Sequence, residues 1–246
     1  MKYFYLELNP IIVAGSKLKK LNWKKADVYT SSWAISEQLI NLKEENYPTI
    51  RASFKLIDEL KIRIDWENNV SKMFSAFDLK HPVLTDEAAI KSQYESVLKA
   101  STFSDLPTQV LKTIGEFKKM REASNWHMGV MNHFTPEMKE VLRVGIAEDE
   151  MKMLSMTMVL NCIQGTFQIN EDMLLSRYTG RLDRFLFAQA KYFQKKSDIK
   201  KNDWFDLEHF KYIQNEITYM VSDDIFVKWL DYKKVYSVDE FLEFMS

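Results

Sequence analysis

Residues 24–42, Lys24-Lys25-Ala26-Asp27-Val28-Tyr29-Thr30-Ser31-Ser32-Trp33-Ala34-Ile35-Ser36-Glu37-Gln38-Leu39-Ile40-Asn41-Leu42, read as a strand that runs straight into a helix. The strand centres on residues 27–30. Ser31 or Ser32 suits the N-cap, because a hydroxyl satisfies the free amides of a first helical turn. Trp33, Leu39, Ile40 and Leu42, with Ile35 and Ser36 beside them, then form one broad apolar stripe. Upstream, Tyr3-Phe4-Tyr5-Leu6-Glu7-Leu8 is an aromatic and aliphatic run that predicts a buried strand. Asn9-Pro10 breaks it, and Pro10 suits a first helical turn. Downstream, residues 47–60 space Ile50, Phe54, Ile57 and Leu60 by three or four, as a helix does. Ile62-Arg63-Ile64-Asp65-Trp66 alternates as a strand does. Strand, helix, strand, helix, helix, strand over the first 66 residues predicts a parallel α/β sheet.

The middle of the chain changes character. From about residue 67 to 195 the pattern is almost wholly helical, over 70–77, 86–99, 106–122, 136–163 and 170–194. Thr85-Asp86-Glu87 and Asn170-Glu171-Asp172 open two of these helices with acidic residues set against the dipole. Pro107 and Pro136 suit early helical positions. The methionine-rich run of residues 151–160 reads as core filler, since Met packs irregular gaps. Residues 195–203 form a polar loop. A helix over 206–213, a strand over 217–221, helical pieces at 224–230 and 238–245, and an extended 232–236 complete the chain. The expectation is one α/β domain over residues 1–246, a central parallel sheet flanked by helices, with 67–180 as a helical insert. No Gly-, Pro- or Ser-rich linker marks that insert as independent.

Composition narrows the function classes. Six Gly and five Pro in 246 residues leave little room for elaborate loops. A single cysteine, Cys162, excludes an intrachain disulfide framework and a cysteine-based zinc cluster, and points to a reducing cytoplasm. A net charge of −1 argues against a protein that only coats nucleic acid, but not against a nuclease whose basic patches are offset by an acidic site. The run Lys17, Lys19, Lys20, Lys24 and Lys25 reads as solvated surface. Glu7 interrupts the apolar start too early for a secretory leader, and no apolar run reaches the roughly 18 residues a membrane span needs, so no membrane partner is expected.

Chemistry-bearing residues gather at the expected strand ends. An open α/β sheet builds its sites at the carboxyl edge of its strands. Glu7 lies late in the first strand, and Glu37 one turn into the helix after the second. Asp206 starts the helix before the last strand, and Ser222-Asp223-Asp224 ends that strand. Two carboxylates about 4 Å apart repel by about 4 kcal/mol at an effective dielectric near 20. Such a group stays ionised when a cation offsets it, and oxygen-only donors point to Mg²⁺ or Mn²⁺.

These residues resemble the PIN-domain nucleases. Leu6-Glu7-Leu8-Asn9 is similar to the family's opening strand, Val28 to Leu39 to its second strand and glutamate-bearing helix, Asp206 to Tyr212 to the helix with its third acidic residue, and Val221-Ser222-Asp223-Asp224 to its fourth element. The resemblance covers roughly residues 1–75 and 180–230, in order. Two departures stand out: Glu7 occupies a place where the family usually has Asp, and the helical middle exceeds that of compact members. The resemblance implies a three-layer sandwich and divalent-metal-dependent hydrolysis of phosphodiester bonds, RNA ahead of DNA. Glu7, Glu37, Asp206 and Asp224 would hold one or two metal ions, with Asp223 beside them and Asp203 in reserve. Asn9, Ser222 and Asp223 would contact substrate or support the ligands. His209, one turn after Asp206 on the same face, reads first as a packed or capping histidine and otherwise as a contact to substrate phosphate. A regulatory protein such as an antitoxin, and a toxin or phage-defence role, follow from the same analogy.

Two other readings compete. A PIN-like module could have kept the fold and lost the chemistry, acting by protein binding. Separately, Arg121 and His127 resemble the Arg…His pair of metal-independent HEPN ribonucleases, although Glu122 follows the arginine where that family has a small polar residue. His127 and His133 are spaced poorly for a helical metal pair.

Overall fold

The computed structural model describes residues 1–80, 87–123, 137, 140, 147–194 and 201–246. Five strands form one sheet: β1 (Lys2–Leu6), β2 (Ala26–Ser31), β3 (Arg63–Asp65), β4 (Thr218–Val221) and β5 (Val235–Tyr236). All neighbouring pairs are parallel, in the order β3-β2-β1-β4-β5. The first half of the chain therefore builds outward from β1 in one direction, and the last strands build outward in the other. The reversal falls between β1 and β4, where such sheets open a crevice at their carboxyl edge.

Helices cover both faces. After β1 come α1 (Leu8–Ala14) and a 3₁₀ turn (Gly15–Lys20). Then follow α2 (Ser32–Ile40), α3 (Tyr47–Glu59), α4 (Asn69–Ser75), α5 (Glu87–Lys99) and α6 (Thr108–Ala123). Beyond these lie α7 (Glu148–Phe167), α8 (Glu171–Arg177), α9 (Asp183–Gln194), α10 (Lys201–Glu208), a 3₁₀ turn (His209–Tyr212), α11 (Ile225–Leu230) and α12 (Val238–Met245). Successive strand residues point to opposite faces. Phe4, Leu6, Val28 and Val221 pack against α1, α2, α3, α5 and α12 in one core. Tyr5, Tyr29 and Met220 pack against α4, α7, α9, α10 and the second 3₁₀ turn in the other. The result is a three-layer α/β arrangement. The described helices between residues 67 and 180 contribute to both cores, α5 and α6 to the first and α4, α7 and α8 to the second.

The local devices expected at β2 are in place. Ser31 caps α2, its Oγ accepting from the Ala34 amide at 3.1 Å. Three expectations need correction. Residues 170–194 form two helices, because Gly180 adopts φ 79° and the Thr179 amide donates to the Ala76 carbonyl at 2.9 Å, tying the break to the end of α4. Asp206 does not open its helix: α10 is already running at Lys201, the first-turn acid is Asp203, and Asp206 is the sixth residue. Glu7 is past the strand, at the N-cap position of α1. Of the methionine-rich run, Met156 lies in the core and Met153 is exposed. Lys17, Lys19, Lys20, Lys24 and Lys25 are exposed, as read from the sequence. Among the described residues, no helix is long and apolar enough to cross a membrane.

Candidate functional site

The parallel register places the first two site residues. Leu6 pairs with Val221, so Glu7 and Ser222 are the next residues beyond the paired ends of β1 and β4. The Glu7 side chain makes no cap to its own helix. Its Oε2 accepts instead from Ser222 Oγ at 3.0 Å. Glu7 is only 9% exposed, and its Oε1 is buried with no hydrogen-bond partner. A buried, unpartnered carboxylate oxygen is costly unless a proton or cation meets it.

Glu37 reaches the same region from α2, and its orientation is fixed from below. The Tyr5 hydroxyl lies 2.9 Å from Ser31 Oγ, the cap of α2, and 2.5 Å from His209 Nδ1. His209 Nε2 lies 2.9 Å from Glu37 Oε2. A protonated imidazole donates from both nitrogens, so the chain of bonds runs from His209 to Glu37 on one side. On the other it runs through Tyr5 to Ser31.

His209 is held in place by the 3₁₀ turn after α10. Lys211 turns inward there and pairs with Glu208 at 2.7 Å, and Asn69 donates to the same Glu208 Oε2 at 2.8 Å. The turn buries His209, Phe210, Lys211 and Tyr212 together. Tyr212 also stacks on Tyr5 with ring centres 5.3 Å apart.

Asp206 completes the group from α10, half-buried one turn before His209. The electrostatics follow from crowding in a water-poor place. Burial pushes Glu7 up to about 7, with Glu37 and Asp206 adding to the rise against His209 and Ser222. Burial likewise pushes Asp206 to about 7, with Glu37, Asp224 and Asp203 adding to it against His209. For His209, burial acts downward, but Glu37, Glu7 and Asp206 override it and raise the imidazole to about 9. Burial holds the Tyr5 phenol well above its ordinary value, so it stays a neutral hydroxyl. At neutral pH His209 is an imidazolium paired with Glu37, and Glu7 and Asp206 stand near the middle of their own titrations.

The other expected residues sit elsewhere or do other work. Asp224 lies near enough to Asp206 to raise its pKa, and caps α11 with Oδ1, which accepts from Phe226 N at 2.6 Å and Val227 N at 3.3 Å. Asp223 is turned away: its Oδ1 accepts from Val238 N at 3.0 Å, at the start of α12. Asn9 is exposed in the first turn of α1. Asp203 is buried in the first turn of α10. His209 is buried, with both ring nitrogens bonded within the protein. The Arg121 side chain, His127 and His133 lie outside the described residues.

Sequence reasoning missed Tyr5. It sits two residues before Glu7, facing the opposite core from Phe4 and Leu6, and reads as one more apolar strand residue. The available signal was its hydroxyl, which needs a partner when buried.

Among the described residues, no three His, Cys, Asp or Glu side chains stand in a metal-coordinating array. Carboxylate oxygens, one of them buried and unpartnered, are the donor type a hard divalent cation takes, and burial holds Glu7 and Asp206 protonated to near neutral pH. No family model, curated protein or solved structure matches the chain.

Proposed function

We propose that the protein is a PIN-like, divalent-metal-dependent phosphodiesterase acting on nucleic acid, RNA ahead of DNA. The observation that carries this reading is the buried Glu7 carboxylate, with one unpartnered oxygen, at the carboxyl edge where the strand order reverses. Glu37 and Asp206 face it closely enough to shift its titration. Asp224 lies at the rim. These four carboxylates would hold Mg²⁺ or Mn²⁺. A bound ion would supply a water of lowered pKa and positive charge for the phosphoryl oxygens.

The chain's own residues have separate tasks. Ser222 orients Glu7 by donating to its Oε2. His209, steadied by Tyr5, orients Glu37. Asp206 would add a carboxylate from α10 to the ion's ligands. A cytoplasmic setting and control by an antitoxin-like protein partner accompany this reading by analogy.

A second reading is favoured by the His209–Glu37 pair. A resident imidazolium already offsets the carboxylates, as a PIN-like module acting only through protein binding would allow. Calorimetric titration of the purified protein with Mn²⁺ separates the two. The enzyme reading expects saturable binding lost in Asp206→Ala, with Mn²⁺-dependent cleavage of labelled RNA lost in parallel. No binding by the wild-type protein would leave the second reading standing.

A further inference from the structure

Helix α11 is capped by Asp224, on the rim of the candidate site, and turns an apolar face outward. Ile225 and Trp229, four residues apart on one helical face, are 85% and 42% exposed, and Tyr232, two residues past the helix, is 75% exposed. Val227 and Leu230 commit the other side of the helix to the core. Phe226 lies against the Trp229 ring, with centres 6.0 Å apart and planes at 23°, and packs edge-on to buried Tyr192, so the indole is backed by the core. The fold also sorts the charges of this segment. Its one acid, Asp231, is turned inward, where Oδ2 accepts from Arg184 at 3.3 Å. Lys228 is half-buried and Lys233 exposed, and Lys191 of α9 sets its Nζ 5.8 Å from the centre of the Trp229 ring.

We propose that this face binds single-stranded nucleic acid, with bases stacking on Trp229 and Tyr232 and phosphates meeting Lys191, Lys228 and Lys233. The proposal rests on the phosphodiesterase reading above and names the form of its substrate, an unpaired strand laid along α11 toward Asp224. Aromatic rings interleaved with lysines suit such a strand, since every base has a π-face and every linkage a negative charge. A duplex keeps its bases stacked on one another and offers the rings only its backbone. Trp229 stands five residues from Asp224, about 7.5 Å along the helix axis, so a strand stacked there reaches the rim with its adjacent nucleotides. A second copy of the chain fits the face less well. A stable interface needs about 800 Å² on each side. Three side chains, at roughly 150–250 Å² for each large ring when fully buried, fall short of it.

The test is fluorescence anisotropy on the intact protein in EDTA, which leaves the strand uncut and needs no ion. The probes are a labelled oligoadenylate, its deoxy counterpart, and the duplex of the first with oligouridylate. The single strands should bind more tightly than the duplex. Trp229→Ala and Tyr232→Ala should each weaken that binding by about 5- to 100-fold, and Trp229→Phe should restore most of the loss. Lys233→Gln should lower the slope of log affinity against log salt by about 0.7. Tyr232 lies at the surface, so its variant keeps the fold, and melting checks the Trp229 variants. Single-strand binding unchanged in either folded alanine variant, or equal binding of the duplex, overturns the proposal while the phosphodiesterase reading survives. No nucleic-acid binding by the wild type also overturns it, and the phosphodiesterase reading falls as well only if Mn²⁺-dependent cleavage of RNA is absent. A dimer in sedimentation that both alanine variants dissociate, without strand binding, assigns the face to a second copy instead.

Discussion

The Nε2 atom of His209 stands 2.9 Å from the Oε2 atom of Glu37, across 172 residues of chain. The contact joins the turn after α10 to the middle of α2 and sets an imidazolium among carboxylates. Its consequences can be measured without knowing the substrate.

The first concerns pH. His209 is raised from 6.5 to about 9, the carboxylates around it overriding the downward pull of burial. A group whose pKa is raised by folding contributes stability that is complete below the unfolded value and lost as pH climbs through the folded one. Here that window runs from pH 6.5 to 9, and the contribution is on the order of 3 kcal/mol. Glu7 and Asp206 are also raised, from 4.5 and 3.8 to about 7, chiefly by burial, and have the same sign over their lower window. The groups titrate as one coupled set. In metal-free buffer the Tm should fall from pH 5 to pH 9, and His209→Asn should flatten the upper part of that slope. A Tm that climbs over this range would contradict the electrostatic account.

Glu7→Gln separates stability from function. The amide oxygen can still accept from Ser222, but the charge is gone. Above pH 7 the variant should be more stable than wild type by about 1–3 kcal/mol. Below pH 4, where Glu7 holds its proton in the folded and the unfolded chain alike, the two should melt nearly together. Mn²⁺ binding should be lost throughout. Thermal melts below pH 4 and at pH 8.5 with matched calorimetry check this; equal stability at both values would show that burial does not strain the Glu7 carboxylate.

Tyr5→Phe removes one hydroxyl from the centre of the network. The ring stack on Tyr212 stays, but His209 Nδ1 and Ser31 lose a partner. Unsatisfied buried polar groups cost about 1–3 kcal/mol. Chemical denaturation should show a loss of that size, with weaker Mn²⁺ binding as Glu37 loosens. An unchanged midpoint would mean that the hydroxyl is not needed to hold His209.

Asp223 and Asp224 are adjacent and should behave differently. Asp223→Ala removes the acceptor for Val238 N and should cost about 1 kcal/mol without changing Mn²⁺ affinity. Asp224→Asn keeps a good cap for α11 and removes a charge near Asp206. Its stability should match wild type while Mn²⁺ affinity drops several-fold. Denaturation and calorimetry on the two variants decide; equal effects on binding would mean that the side-chain directions do not matter.

Much of the fold was legible because it is local. Strand β2, the Ser31 cap and the start of α2 depend on residues within a few positions of one another, and the alternation of strands with helices implies a parallel sheet. The break at Gly180 was not legible, since it depends on a bond from Thr179 to Ala76, distant in sequence. The onset of α10 was not legible either, because Asp206 and Asp203 are both plausible openers and only the course of the helix selects Asp203.

For the site the division is sharper. Residue types alone determined that carboxylates would sit at strand ends: Glu7 follows β1 directly, and Ser222-Asp223-Asp224 follows β4. Only the tertiary structure decided that Ser222 lies on Glu7, that Asp223 is turned to α12, and that His209 sits between Tyr5 and Glu37. The reason is physical. A strand end or a cap is settled by energies within one or two turns of chain, whereas the neighbour of a buried side chain is settled by strand order and by the packing of both helical layers.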